Sequence, residues 1–310
     1  MNPTLKGVLY VALGASSYGM LATIVKIAYQ QDFTTAEVTL SQFFFGIIVL
    51  FLLSYQKRKT EKPSKKTIRK LMIAGTTMGC TSVFYYLCVR YLNASVAVVF
   101  LMQSVWIGVV IEVIQKRKPP ALIKVAAVLL VLFGTVLATQ MWNFNAELNI
   151  LGVLFGMMAA ISFSLTLFST NTVGTGFSPT VRSLYMLLGG GIVVLVFALF
   201  TQIFPYYFGF SPQLIEDFTT AKPIDFRIFY TWGVILATFG TILPPILLNK
   251  GFPLTGVGLG SIVSSIELPV SVTFAFVLLS ETVTVVQWLG IVVILMAVVL
   301  MNINLMRKRN

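Results

Sequence analysis

"TGVGLGSIVSSIELPVSVTFAFVLL", residues 255–279, is a stretch of 25 residues in which Glu267 is the only charge. About 20 predominantly apolar residues suffice for a helix to cross the hydrocarbon core of a bilayer. Runs of that kind recur along the whole chain. They fall at about 5–29, 34–55, 68–90, 94–114, 121–140, 149–171, 179–201, 228–250, 255–279 and 285–305, and they predict ten membrane-spanning helices. Composition agrees. The 310 residues are 57% hydrophobic and 10% charged, with a mean hydropathy of +0.91, where a soluble domain carries about a quarter charged residues.

The net charge of +12 would suggest nucleic acid in a soluble protein. Here the basic residues cluster between apolar runs, in "QKRKTEKPSKKTIRK" (56–70), "QKRKPP" (115–120) and "MRKRN" (306–310). That is the pattern of cytoplasmic loops under the positive-inside rule. With the N-terminus inside, 18 Lys and Arg fall on the inner side and 4 (Lys26, Arg90, Lys222 and Arg227) on the outer. Both termini are expected in the cytoplasm, and the protein in the inner or plasma membrane, surrounded by lipid, without nucleic acid as a partner.

Histidine is absent, so histidine metal sites and imidazole proton relays are excluded. Cys80 and Cys88 are eight positions apart, about 12 Å along one helix, too far for a disulfide, and read as packing residues. The ten acids are scattered rather than paired. A membrane-embedded enzyme, a metal centre and a cofactor are therefore not expected. The first apolar run, Leu5 to about Ala28, is too long for a signal-peptide core.

An even split at about residue 145 leaves five spans on each side, residues 1–145 and 146–310. "CTSVFYYLCVRYLNAS" (80–95) aligns with "GTILPPILLNKGFPLT" (240–255), and "AVLLVLFGTVL" (127–137) with "GIVVILMAVVL" (290–300). Five being odd, the second half must cross the membrane in the opposite sense. The expected fold is an all-α membrane protein of two inverted five-helix repeats around a central cavity, an arrangement secondary transporters use for alternating access.

The second half, "SSIELPVSVTFAFVLLSETVTVVQWLGIVVIL" (264–294), closely resembles EamA-type members of the drug/metabolite transporter superfamily. Their repeats carry a mid-helix proline, an acid about a dozen positions later, and a Gln and a Gly opening the last span. Here these are Pro269, Glu281, Gln287 and Gly290. The first half departs from that pattern. Trp106 stands in the place of the proline, Lys116 to Lys118 in the place of the acid, and Gln42 where many relatives carry arginine. The resemblance implies a carrier of a small metabolite, driven by exchange or an ion gradient, with a cavity between the halves.

Glu267 is the leading candidate for chemistry. A carboxylate at a span centre costs roughly 2.5–3.5 kcal/mol to insert, so it is expected to face a cavity as a proton or substrate site. The bland alternative is a structural carboxylate bonded to Ser264 or to a neighbouring helix. Pro269 cannot donate to the carbonyl of Ser265 and should bend the helix beside it, and Gly256, Gly258 and Gly260 permit close helix approach in the same span. Pro244 and Pro245 likewise free the carbonyls of Gly240 and Thr241. Gln103 and Trp106, three apart, share a helix face and with Tyr18, Tyr86, Ser264 and Asn249 complete the expected substrate-binding set; the alternative for several of them is helix–helix hydrogen bonding. Lys26 is expected to snorkel to the interface, or else to pair with Glu37 or with an anionic substrate. Arg90, Lys250 and Arg182 read as interface anchors, and Glu112 as a partner of the basic loop after it.

A receptor or channel would show seven spans with a ligand domain, or a pore-loop repeat, and neither is visible. The sequence therefore reads as a secondary transporter of a small neutral, zwitterionic or cationic solute such as an amino acid, with a proton or counter-substrate as the coupling partner. A nucleotide sugar would want several basic residues at the centre. The alternative reading is a broad exporter of lipophilic cations.

Overall fold

The computed structural model describes residues 3–117, 119–120, 122–140, 149–209 and 219–307, and every regular element among them is helical. Lys118, Glu216, Lys308 and Arg309 lie outside the described residues, as do the side chains of Glu112 and Lys116 and the surroundings of Gly256, Gly258 and Gly260.

The first half runs through α1 (Pro3–Gln30), α2 (Thr35–Glu61), α3 (Lys65–Tyr91), α4 (Ala94–Leu101), α5 (Ser104–Lys116) and α6 (Leu122–Thr139). The second runs through α7 (Ile150–Thr172) and α8 (Pro179–Ala198), which a π-helical turn (Leu199–Ile203) joins to α9 (Phe204–Phe208). A π turn (Phe229–Gly233), α10 (Val234–Ala237) and another π turn (Thr238–Ile242) then lead into α11 (Leu243–Ser264), followed by α12 (Glu267–Leu279) and α13 (Val285–Arg307). Among the described residues seven helices are long and apolar enough to cross a membrane, and shorter apolar helices at Val125–Thr139, Glu267–Leu279 and Val285–Ala297 accompany them. The expected ten spans are present.

Helix α2 runs six residues past the expected end at 55, into "QKRKTE". Lys, Arg, Gln and Glu are strong helix formers, and cations suit the negative end of the helix dipole. It stops at Lys62, in the left-handed conformation at φ 40°. The next residue, Pro63, disfavours α backbone before it, and Ser64 then caps α3 by accepting a hydrogen bond from the N–H of Thr67 at 3.2 Å. Much of the basic segment is thus helix end rather than loop.

The fourth and ninth spans are each broken, and broken alike. In the fourth, the N–H of Gln103 donates to Phe100, that of Val105 to Met102 and that of Ile107 to Gln103. In the ninth, the N–H of Ile266 donates to Val263, that of Leu268 to Ser265 and that of Val270 to Ile266. Residues 100, 102, 103, 105 and 107 correspond one for one with 263, 265, 266, 268 and 270, and Trp106 with Pro269. Pro269 explains the second break, since it leaves the Ser265 carbonyl to a tighter i+3 donor, Leu268, at 3.1 Å. The first break occurs without a proline.

The halves interlock. Helix α1 packs on α11 and α12, α2 on α8, α3 on α7 and α8, and α6 on α13. Leu254 lies against Gly7, Leu247 and Leu248 against Gly14, and Gly240 against Leu21, so the segment from Gly240 to Leu254 runs antiparallel to α1. Glu267 then lies against Gly19. Gly7 and Gly19 are about 18 Å apart along α1, so the chain turns back between Leu254 and Glu267, within the residues assigned to α11. One apolar cluster joins Leu21, Val25 and Ala28 of α1 with Tyr85 and Tyr86 of α3, Ala97 of α4, Leu236 of α10 and Ala275 of α12. Large apolar side chains such as Leu52, Leu53, Ile73, Leu122 and Val285 stand exposed on the outside, as a bilayer solvent requires.

The four residues that carry the family resemblance all have architectural partners. Pro269 sits at the helix break. Ser280 takes the left-handed conformation (φ 54°), and the N–H of Glu281 closes the turn on the carbonyl of Ala275, a Schellman-type stop. The Glu281 carboxylate then accepts from the N–H groups of Ala94 (2.8 Å) and Ser95 (3.1 Å) and from the Ser95 hydroxyl (2.6 Å), capping α4 in the other half. Gln287 forms a capping box with Thr284 at the start of α13. Gly290 lets α13 meet α6, where a Cβ would fall 2.6 Å from the carbonyl oxygen of Gly134.

Candidate functional site

The central cavity is walled by Tyr18 and Leu21 of α1, Gln42 of α2, Met78, Thr81, Ser82, Tyr85 and Tyr86 of α3, Leu101 of α4, Phe163 and Thr166 of α7, Gly240 and Glu267. Both halves contribute, and the cavity encloses about 50 Å³. That is room for a few waters, well below the ~300–1,000 Å³ of a small-molecule site.

Three local features place Glu267. It is the first residue of α12, directly after the break that Pro269 explains. Gly19 lets α1 approach, since a Cβ there would stand 2.6 Å from the Glu267 carbonyl oxygen. The side chain is 5% exposed and lines the cavity beside Tyr18 and Tyr85. Among the described residues its carboxylate makes no hydrogen bond or ion pair. Three other acids serve as caps. Besides Glu281, Glu61 accepts from the N–H of Ser178 at the start of α8 with both oxygens, at 3.1 and 3.0 Å. Glu37, fully buried, accepts from Thr34 N–H (2.8 Å), from the Gln202 amide (2.8 Å) and from Asp225 N–H (2.8 Å), with the Lys222 ammonium 3.5 Å away.

Tyr86 and Tyr18 stand in the cavity wall with Glu267. The Tyr86 hydroxyl donates to the Gln42 side-chain carbonyl. Gln42 is 1% exposed, and its amide nitrogen occupies the space a Cβ on Gly240 would need, at 2.4 Å. Gln42, Thr81, Ser82 and Thr166 were not in the expected binding set. A polar residue on a long apolar span was the available signal, and only the packing of α2 and α3 on opposite halves shows which of them meet.

Other expected residues lie elsewhere. Gln103 donates to the Val99 carbonyl (3.1 Å) and the Thr135 hydroxyl (2.6 Å) and accepts from the Trp106 indole (2.9 Å), so this pair fastens the break in the fourth span to α6. Neither residue lines the cavity. The Asn249 amide donates to the Ser183 hydroxyl at 3.1 Å, joining α11 to α8, and Ser264 precedes the break in the ninth span. Pro244 and Pro245 open α11 directly after the π turn Thr238–Ile242, a type of distortion common at functional sites. Gly240 in that turn faces the cavity, and Thr241 is buried, its hydroxyl donating to the Gln42 backbone at 3.3 Å.

The alternative pairing of Lys26 with Glu37 is not made, since Lys222 lies beside Glu37; the Lys26 ammonium donates to the carbonyls of Val89 and Leu92, both at 2.8 Å, closing the end of α3. One expectation about a cation is corrected. Arg182 is not an interface anchor. It is 7% exposed and donates to the carbonyls of Val173 (3.2 Å) and Thr170, satisfying the end of α7.

Comparison with known proteins agrees with this architecture. The sequence model of the EamA-like transporter family matches residues 5–140 and 150–303. A Salmonella typhimurium protein named as the uncharacterized inner membrane transporter YicL is 25% identical over 316 residues, spanning 99% of both chains. A solved crystal structure superposes with a TM-score of 0.62 at 15% identity, over 97% of this chain and 98% of that one, a likeness of fold.

Proposed function

Because the chain belongs to the EamA-like transporter family, we propose that this membrane transporter moves a small amine-bearing metabolite, zwitterionic or cationic, by alternating access. The Salmonella relative's name supports an inner-membrane location, and the basic segments support cytoplasmic termini. One observation carries the substrate reading: among the described residues lining the central cavity, Glu267 is the only charged side chain. A desolvated carboxylate among Tyr18, Tyr85, Tyr86 and Phe163 suits an ammonium group, through charge and through the aromatic faces. The Ser82 hydroxyl and the Gln42 amide offer neutral donors to the rest of the solute, and the Thr81 hydroxyl, whose proton goes to the Thr77 carbonyl, offers an acceptor. A free carboxylate on a zwitterionic solute would meet these neutral donors, since the described lining residues include no cation, and bulkier amines without a carboxylate fit the second reading, a broad exporter of lipophilic cations. Glu267 also serves as the exchange point for a proton or a counter-substrate.

The test is transport into liposomes by the purified protein. The panel holds amino acids, simple amines, an aromatic quaternary cation and an anionic nucleotide sugar, each with and without a pH gradient. Uptake restricted to amine-bearing solutes is expected. Uptake of the nucleotide sugar alone would remove the reading.

A further inference from the structure

A second and larger space of about 500 Å³ opens on the face opposite the basic segments. Its walls include Lys26, Tyr29, Thr34 and Thr35, Arg90 and Lys222. Tyr29 of the vestibule wall and Tyr86 of the central cavity wall are in direct contact. The Tyr29 hydroxyl, in the vestibule wall, donates to the backbone carbonyl of Tyr86 at 3.0 Å and lies 3.0 Å from the Thr35 hydroxyl. Tyr86, in the cavity wall and 1% exposed, spends its own hydroxyl on Gln42. Gln42 in turn rests on Gly240, in the π turn just before Pro244 and Pro245.

We propose that Tyr29 and Tyr86 form a thin gate between vestibule and cavity, latched by the Tyr29 hydroxyl. The latch ties α1 to α3. The second contact, Tyr86 to Gln42 to Gly240, ties the gate to the bent helix of the other half, so a change at that bend shifts Tyr86. The cavity is too small for a metabolite while the gate is shut, whereas the vestibule is large enough for one. A solute entering from this face therefore waits at the Tyr29 layer until the hydrogen bond opens. The inference rests on the transport reading, since a gate matters only if a solute passes.

The gate is tested by thiol accessibility, which needs no substrate. Ser82→Cys places a probe in the cavity wall of a chain also carrying Cys80→Ser and Cys88→Ser. A charged, membrane-impermeant maleimide is added to sealed vesicles of either orientation. Tyr29→Phe should raise the labelling rate about five- to tenfold from the vestibule side, the change expected for losing one hydrogen bond, and leave labelling from the other side as it was. Thr35→Val, measured beside it, removes the hydroxyl's other partner and should shift the rate in the same direction. Unchanged labelling in the folded variants, or an equal rise from both sides, overturns the gate. Failure of the liposome assay with the labelling shift intact would instead remove the transport reading and leave the gate standing.

Discussion

The Glu281 carboxylate accepts a 2.6 Å hydrogen bond from the hydroxyl of Ser95 and a 3.1 Å bond from its N–H, so an acid of one half closes the first turn of a helix in the other. Asn93, at the usual capping position of α4, makes no such bond. The repeat motif therefore joins the halves, with the Schellman turn at Ser280 aiming the acid.

Removing that carboxylate should cost stability rather than transport chemistry. Glu281→Ala leaves the N–H groups of Ala94 and Ser95 without their charged acceptor and should cost about 2 kcal/mol. Glu281→Gln, which keeps one acceptor oxygen, should cost less. Thermal unfolding in detergent orders the three proteins, and an Ala variant melting with the parent would contradict the assignment.

Glu267→Gln should separate the opposite way. Gln keeps the shape and the hydrogen-bonding capacity while deleting the charge and the exchangeable proton, so the variant should fold and melt like the parent. If the acid holds the solute's amine, affinity should fall by roughly 2–5 kcal/mol, the scale of truncating a buried charge pair. If it carries the proton, binding should persist and dependence on a pH gradient disappear. A variant that melts early while its folded fraction transports normally would make the residue structural.

Among the described residues two buried hydroxyls, Thr23 of α1 and Ser271 of α12, have no hydrogen-bond partner. Each lies one turn beyond a residue of the α1–α12 contact, Gly19 and Glu267 respectively. An unsatisfied buried hydroxyl costs about 1–3 kcal/mol, and a similarly shaped apolar group relieves that cost. Thr23→Val and Ser271→Ala should therefore hold or raise the melting temperature. A drop of several degrees in either would show that the hydroxyl is used.

The distribution of basic residues predicts the orientation. A cysteine at Glu216 should label from outside intact cells, and one at Lys62 only after permeabilisation. The reverse pattern would invert the topology.

The class of fold was legible from chain chemistry because a bilayer imposes it. Each span must be a helix long enough to cross, and ten such runs are visible in the hydropathy alone. The Pro269 break was legible for the same local reason, a missing N–H. The matching break at Met102–Gln103 was not. No proline marks it, and it is fastened instead by Gln103 reaching Thr135 on another helix.

Candidate site residues divide along that line. Glu267 was legible because an isolated charge in an apolar span is conspicuous wherever the helices pack. Gln103, Trp106 and Asn249 looked equally suitable, since helical spacing says which residues share a face but not what that face meets. Gln42 and the hydroxyls of Thr81 and Ser82 enter the cavity through the packing of α1, α2 and α3 against α7 and the π turn at Thr238–Ile242. Composition and periodicity act along one helix at a time and so determined ten spans, a deep acid and a bent ninth helix. The fate of each polar side chain was decided by contacts between helices far apart in the chain, and only the tertiary structure holds those.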